Sequence, residues 1–128
     1  MSASLWVVQV LLAAAFGMAG VMKTTLPIPE LTANGVAWAA DLPVALVRFI
    51  GACELTGAIG VILPAATRIR PSLTPLAAAG LATIMALAMV FHLFREEAGA
   101  LPFNLGLGAL AAFVAWGRTS KAPIAPRR

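Results

Sequence analysis

Four long apolar runs, separated by short polar breaks, organise this chain. The first covers roughly residues 5–22 and stops at Lys23. The second runs from about 43 to 64, and the third from about 72 to 94, closed by Arg95, Glu96 and Glu97. The fourth, about 101–117, is followed by Arg118, Lys121, Arg127 and Arg128. Each run is close to the roughly 20 residues an α-helix needs to cross a hydrocarbon core. A helix satisfies its own backbone hydrogen bonds, which lipid cannot do for it. The pattern therefore predicts an all-α, four-transmembrane-helix bundle. Asp41 is placed to cap the second span, with Pro43 in its first turn, where a missing N–H matters least.

The longest break joins the first two spans and holds Pro27, Pro29, Asn34, Gly35 and Trp38. Residues 29–40 read either as a short interfacial segment anchored by Trp38 or as an irregular loop, since Gly35 weakens a helix. Residues 1–4 carry no Lys or Arg, so the first run reads as a retained span rather than a signal peptide.

Composition agrees with the pattern. Of the 128 residues, 61% are hydrophobic and 11% charged, a balance foreign to soluble domains. The length leaves room for one integral membrane domain, residues 1–128. The net charge of +4 does not indicate nucleic acid, because the cations are scattered over the ends of apolar runs. Placing both termini on the cytoplasmic side puts Arg68, Arg70, Arg118, Lys121, Arg127 and Arg128 there, against Lys23 and Arg95 opposite. By the positive-inside rule this predicts an N-in, C-in orientation. The absence of tyrosine and the abundance of Ala, Gly and Pro point to a bacterial cell (inner) membrane. Cys53 is the single cysteine; without C-x-x-C it reads as a packing residue. No metal-ligand set is present.

Charges inside apolar runs carry the functional signal. Insertion scales put a charge at the bilayer centre at about 2.5–3.5 kcal/mol, so such residues face protein interior and mark sites. Glu54 lies about 15 Å into span two. With Lys23, Arg48, His92 and Asn104 it falls in the outer half of the bundle, and the inner half is expected to be nearly free of buried polar groups. Gln9 is the exception and receives no role. Arg48 and Glu54, about 120° and 9 Å apart on a helix, do not pair directly, and Gly51 between them suggests open space. Met85, Ala88, Met89 and His92 share one face of span three, like an apolar pocket with a polar mouth. The competing reading is a structural network stapling the helices. Gly51, Gly57 and Gly60 read as close-packing positions.

The segment Arg48-Phe-Ile-Gly-Ala-Cys-Glu54-Leu-Thr-Gly57-Ala-Ile-Gly-Val-Ile-Leu-Pro64 resembles the signature of DoxX-like (DoxX/DoxD) membrane proteins. Phe16-Gly-Met-Ala-Gly20-Val-Met-Lys23 resembles the end of that family's first span. Pro75-Leu-Ala-Ala-Ala-Gly80-Leu and Ala88 to His92 resemble its third span, and Gly117-Arg118 its fourth-span exit. The resemblance implies a four-helix membrane bundle loosely linked to redox chemistry, with Lys23, Arg48, Glu54 and His92 as polar positions. Family relatives include a small subunit of a thiosulfate:quinone oxidoreductase, and others act as membrane chaperones.

Three functional readings follow. The first is an accessory subunit of a membrane redox system, binding a quinone or similar lipophilic ligand through His92 or Arg48, with Met85 and Met89 against its ring or tail and Lys23 and Asn104 completing the pocket. With no haem-ligand pair within the membrane and no iron–sulfur cysteine set, electrons would come from a redox partner protein's cofactor. The second is a small membrane enzyme, an isomerase or cyclase, with Glu54 and His92 as catalytic acid–base groups. The third is an assembly factor. The lipid bilayer, a lipophilic small molecule, a redox partner and a second copy in a homo-oligomer are the expected partners.

Overall fold

The computed structural model describes residues 1–128 and is all-helical. Helix α1 spans Ser2–Thr25, α2 Ile28–Ala33, α3 Val44–Thr67, α4 Leu73–Phe94 and α5 Leu101–Trp116. Short 3-10 turns lie at Ala37–Asp41 and Ala98–Ala100, and a π-helical turn at Gly117–Lys121 extends α5. Helices α1, α3 and α4, together with α5 and its flanking turns, are long and apolar enough to cross a membrane. They alternate in direction, so both termini share one end of the bundle with the α3–α4 turn. The opposite, loop end carries the α1–α3 and α4–α5 connections.

Only 24 of 128 residues are buried, and the exposed ones include Phe49, Leu76, Leu87, Phe94 and Phe103. Such a surface is at home only in lipid, which supplies the apolar contacts a soluble protein would find in its interior. The core is a thin seam in which Leu5, Leu12 and Phe16 of α1 meet Val61 of α3, Leu81 and Met85 of α4, and Val114 of α5.

Between spans that gain nothing from the aqueous hydrophobic effect, close backbone approach does the packing. A Cβ on Gly20 would lie 2.8 Å from the Gly51 carbonyl oxygen, and one on Gly51 would lie 2.7 Å from Lys23 Cβ. Helices α1 and α3 therefore cross glycine on glycine. The expected free space at Gly51 is absent, because Lys23 and Thr24 fill it. Gly57 meets the Leu81 side chain and Gly60 meets Ala77 in the same way at the α3–α4 contact. Close packing is thus the role of all three glycines named from the sequence.

Two local repairs shape the spans. Pro64 lies inside α3 and offers no N–H to the Gly60 carbonyl one turn back. The Thr74 hydroxyl donates to that oxygen at 3.2 Å, so α4 mends the gap in α3. At the loop end, α4 closes with Glu96 left-handed at φ 59. The Glu97 N–H donates to the His92 carbonyl and the Glu96 N–H to the Leu93 carbonyl, the pattern of a Schellman cap.

The first connection contains both of the forms weighed for it. Helix α2 ends at Asn34, Gly35 turns the chain at φ +97, and the 3-10 turn follows. Leu31 and Ala39 from this segment pack with Val47 of α3 as a second small core. Asp41 does not cap α3: Pro43 holds that position and no side chain caps the helix. A capping carboxylate must reach N–H groups at N2 or N3, whereas Asp41 turns outward to Arg95.

Candidate functional site

The glycine crossing of α1 and α3 builds the central polar contact. It brings Lys23, one turn beyond Gly20, across the face of Gly51. From there Lys23 Nζ reaches Glu54 Oε1 at 2.6 Å. Glu54 is 2% exposed, so this is an ion pair sunk into the apolar bundle. Lys23 Nζ also lies 5.4 Å from the centre of the Trp38 ring, within cation–π range. An ammonium has three donors, of which Glu54 takes one. The site thus offers a buried charge pair whose cation is faced by a half-buried indole.

Arg48, expected to line the pocket, bonds to the end of α1. Its Nη1 donates to the Lys23 carbonyl at 2.9 Å and the Leu26 carbonyl at 2.6 Å. These belong to the last turn and C-cap of α1, where carbonyls lack intrahelical partners and the dipole is negative. Arg48 is therefore a C-terminal cap delivered from the neighbouring helix.

His92 stands in a second cluster, at the loop surface. Its Nδ1 lies 3.2 Å from Glu97 Oε1, which also accepts from Arg95 Nε at 2.7 Å. Arg95 Nη2 reaches Asp41 Oδ2 at 2.8 Å, tying the two loop-end connections together. The hydrogen bond from Arg95 holds the Glu97 carboxyl below the ordinary carboxylate range, with His92 adding to the effect. Bonds to Asp41 and Glu97 push the Arg95 guanidinium up. Trp38 packs edge-on against Phe91 at 5.8 Å, and Phe91 edge-on against His92 at 5.6 Å. The two clusters meet through this aromatic bridge, while the polar bonds of Glu54 and His92 go to separate partners.

The remaining expected residues also divide. Met85 is buried in the main seam, beside Gly108, and Met89 is half-buried. Asn104 is buried with its Nδ2 unpartnered. Neither of the two principal surface grooves involves Glu54, Lys23 or His92. The larger, about 670 Å³, runs between α3 and α4 past Cys53, Gly60 and Gly80.

A further polar cluster lies where the sequence suggested almost none, at the end holding both termini. Gln9 is fully buried, and its Nε2 donates to the Val61 carbonyl at 2.6 Å. Its Oε1 accepts from Arg118 Nε at 2.7 Å. Arg118 Nη1 donates to the Ala122 carbonyl at 3.1 Å and Ser2 Oγ at 3.3 Å, and its Cζ lies 5.3 Å from the Trp6 ring centre. Arg118 is buried within the π turn, next to Gly117, whose missing side chain leaves room for Leu5. Gln9 inside an apolar run was the available signal.

Four membrane-length helices, an apolar exterior and buried ion-pairing polar groups define a small integral membrane protein. A family profile described as the DoxX-like family matches residues 7–114. The chain belongs to that family. Comparison with curated proteins and with solved structures finds no match.

Proposed function

We propose that this protein is a lipophile-binding accessory subunit of a membrane redox system, with a quinone as the favoured ligand. The observation that carries the reading is the buried Lys23–Glu54 pair faced by Trp38. Lys23 keeps donors beyond the one given to Glu54 and suits a ligand carbonyl oxygen. Trp38 supplies an aromatic face for a flat ring, and the surrounding spans accept an apolar tail. Intramembrane charges of this kind mark ligand or ion sites by default. The chain has one cysteine and one histidine, so electrons would pass to and from a partner's cofactor.

Binding is favoured over acid–base catalysis by the engagement of the two candidate groups. Glu54 Oε1 is held by Lys23, and His92 is turned to Glu97. Each is bonded to a partner of its own, and no hydrogen bond joins the two.

The test is extraction of protein purified from its native membrane, with mass spectrometry of the lipid fraction, followed by quinone titration against tryptophan fluorescence. Co-purifying quinone and saturable quenching are expected. Lys23→Met/Glu54→Gln, which removes both charges together, should weaken binding at least tenfold, about 1.4 kcal/mol. No quinone and no quenching on re-addition would refute the proposal.

A further inference from the structure

The end of the bundle that holds both termini has an unusual charge balance. Arg68, Arg70, Arg118, Lys121, Arg127 and Arg128 all lie there, and no acidic side chain does. Of the five acidic residues, Glu54 is paired with Lys23, Asp41 and Glu97 are paired with Arg95, and Glu30 and Glu96 stand in the loop-end connections. Among the six cations, Arg118 alone is buried, at 4% exposure. Its contacts are the Gln9 amide oxygen, the Ser2 hydroxyl, the Ala122 carbonyl and the Trp6 ring, all uncharged. Its Nη2 is buried and has no partner. A buried ion without a counter-charge is penalised by desolvation, and uncharged partners offset only part of that penalty.

We propose that Arg118 and the first turn of α1 form a seat for the phosphate of an anionic phospholipid. The guanidinium fork presents parallel donors matched to a phosphodiester. Through Ser2 it lies against the start of α1, a 24-residue helix whose first turn has no side-chain cap and no acidic residue. The free N–H groups and positive dipole end of that helix favour an anion at the same spot. Exposed Lys121 lies three residues on, over the Trp116 ring. The anion is a lipid's because α1 exposes Val7, Val10 and Leu11 directly below its first turn, where acyl chains would run. Basic pockets between spans at a membrane surface are a known headgroup chemistry. A phosphate oxygen would take the place of the Ala122 carbonyl on Nη1 and engage Nη2. Further along the terminal segment, Arg68 donates to the Ala125 and Pro126 carbonyls, and its own carbonyl accepts from the Arg127 N–H.

The test compares the full chain in nanodiscs of phosphatidylcholine alone with nanodiscs containing phosphatidylglycerol, by native mass spectrometry and thermal melting. One retained phosphatidylglycerol per chain and a melting point several degrees higher are expected, since choline places a second cation beside the seat. Arg118→Lys, which keeps the charge but not the fork, should retain the lipid about tenfold less well. Arg127→Gln/Arg128→Gln should retain it as wild type does, and Arg118→Gln should lose the preference. Equal behaviour of wild type in the two nanodiscs would overturn the proposal, as would retention unchanged in Arg118→Lys and lost in the Arg127/Arg128 variant. Inorganic phosphate added to phosphatidylcholine nanodiscs separates the two sources of phosphate. Stabilisation matching that of phosphatidylglycerol would overturn the lipid assignment.

Discussion

Single residues in this bundle act through what they relieve in their neighbours. Arg48 supplies donors to two α1 carbonyls that would otherwise stand at the loop end without partners. Hydrogen bonds involving a charged group contribute roughly 1.5–3 kcal/mol, so Arg48→Met should lower stability by about 2–4 kcal/mol, read as a fall in melting temperature in detergent. The Lys23–Glu54 pair follows a different rule. Breaking a buried pair from one side leaves an uncompensated charge, at a cost of about 3–5 kcal/mol, whereas apolar replacement of both partners is often neutral. Glu54→Leu should therefore be far more damaging than Lys23→Met/Glu54→Leu, and a double-mutant cycle measures the difference. Glu54 was legible in the sequence, because a charge in an apolar run stands out; Lys23, which ends the first run, was singled out by its place in the outer half and by the family resemblance. Arg118 was not: it follows the fourth run directly and passes for an ordinary end-of-span cation. Its burial comes from long-range contacts with Ser2, Trp6 and Gln9 of α1, which no local pattern announces.

At the scale of helices, contact is set by where side chains are missing. The α1–α3 crossing rests on backbone against backbone, so a methyl at Gly20 has nowhere to go but into the Gly51 carbonyl. Gly20→Ala should destabilise by about 1–3 kcal/mol and loosen the Lys23–Glu54 pair with it. Gly80 has open space around it, and Gly80→Ala should be neutral or stabilising, since alanine is the better helix former by about 1 kcal/mol. The two melting temperatures, measured side by side, test whether the crossing or glycine content in general governs packing. The α4 terminus makes the opposite prediction. Glu96 occupies a left-handed cap position that glycine holds without steric penalty, so Glu96→Gly should raise stability by about 1 kcal/mol. Spans were readable from hydropathy to within a few residues. This cap was hidden because its usual sign, a glycine, is replaced by an acid.

For the whole molecule, the two ends behave as separate electrostatic units. The loop end is closed by Asp41, Arg95, Glu97 and His92, which join connections distant in sequence. Because the Glu97 carboxyl is held below its ordinary range by Arg95, its contribution is fully present above that range. It is lost as pH falls through the lowered value. Amide protection factors in residues 28–41, corrected for the intrinsic pH dependence of exchange, should therefore be high at neutral pH and fall under acid conditions, with Arg95→Gln low throughout. The sequence placed these residues at a helix exit but gave no sign of the His92–Glu97 contact, because periodicity reports a face and says nothing of a partner five residues on, past the helix end. The aromatic bridge of Trp38 and Phe91 spans the same end, with the Trp38 ring facing Lys23 from the loop-end connection. A visitor to that lysine would arrive sideways, out of the bilayer. Occupancy would then track the visitor's mole fraction among lipids: extra lipid at constant protein and visitor should empty the site, and extra buffer should leave it filled.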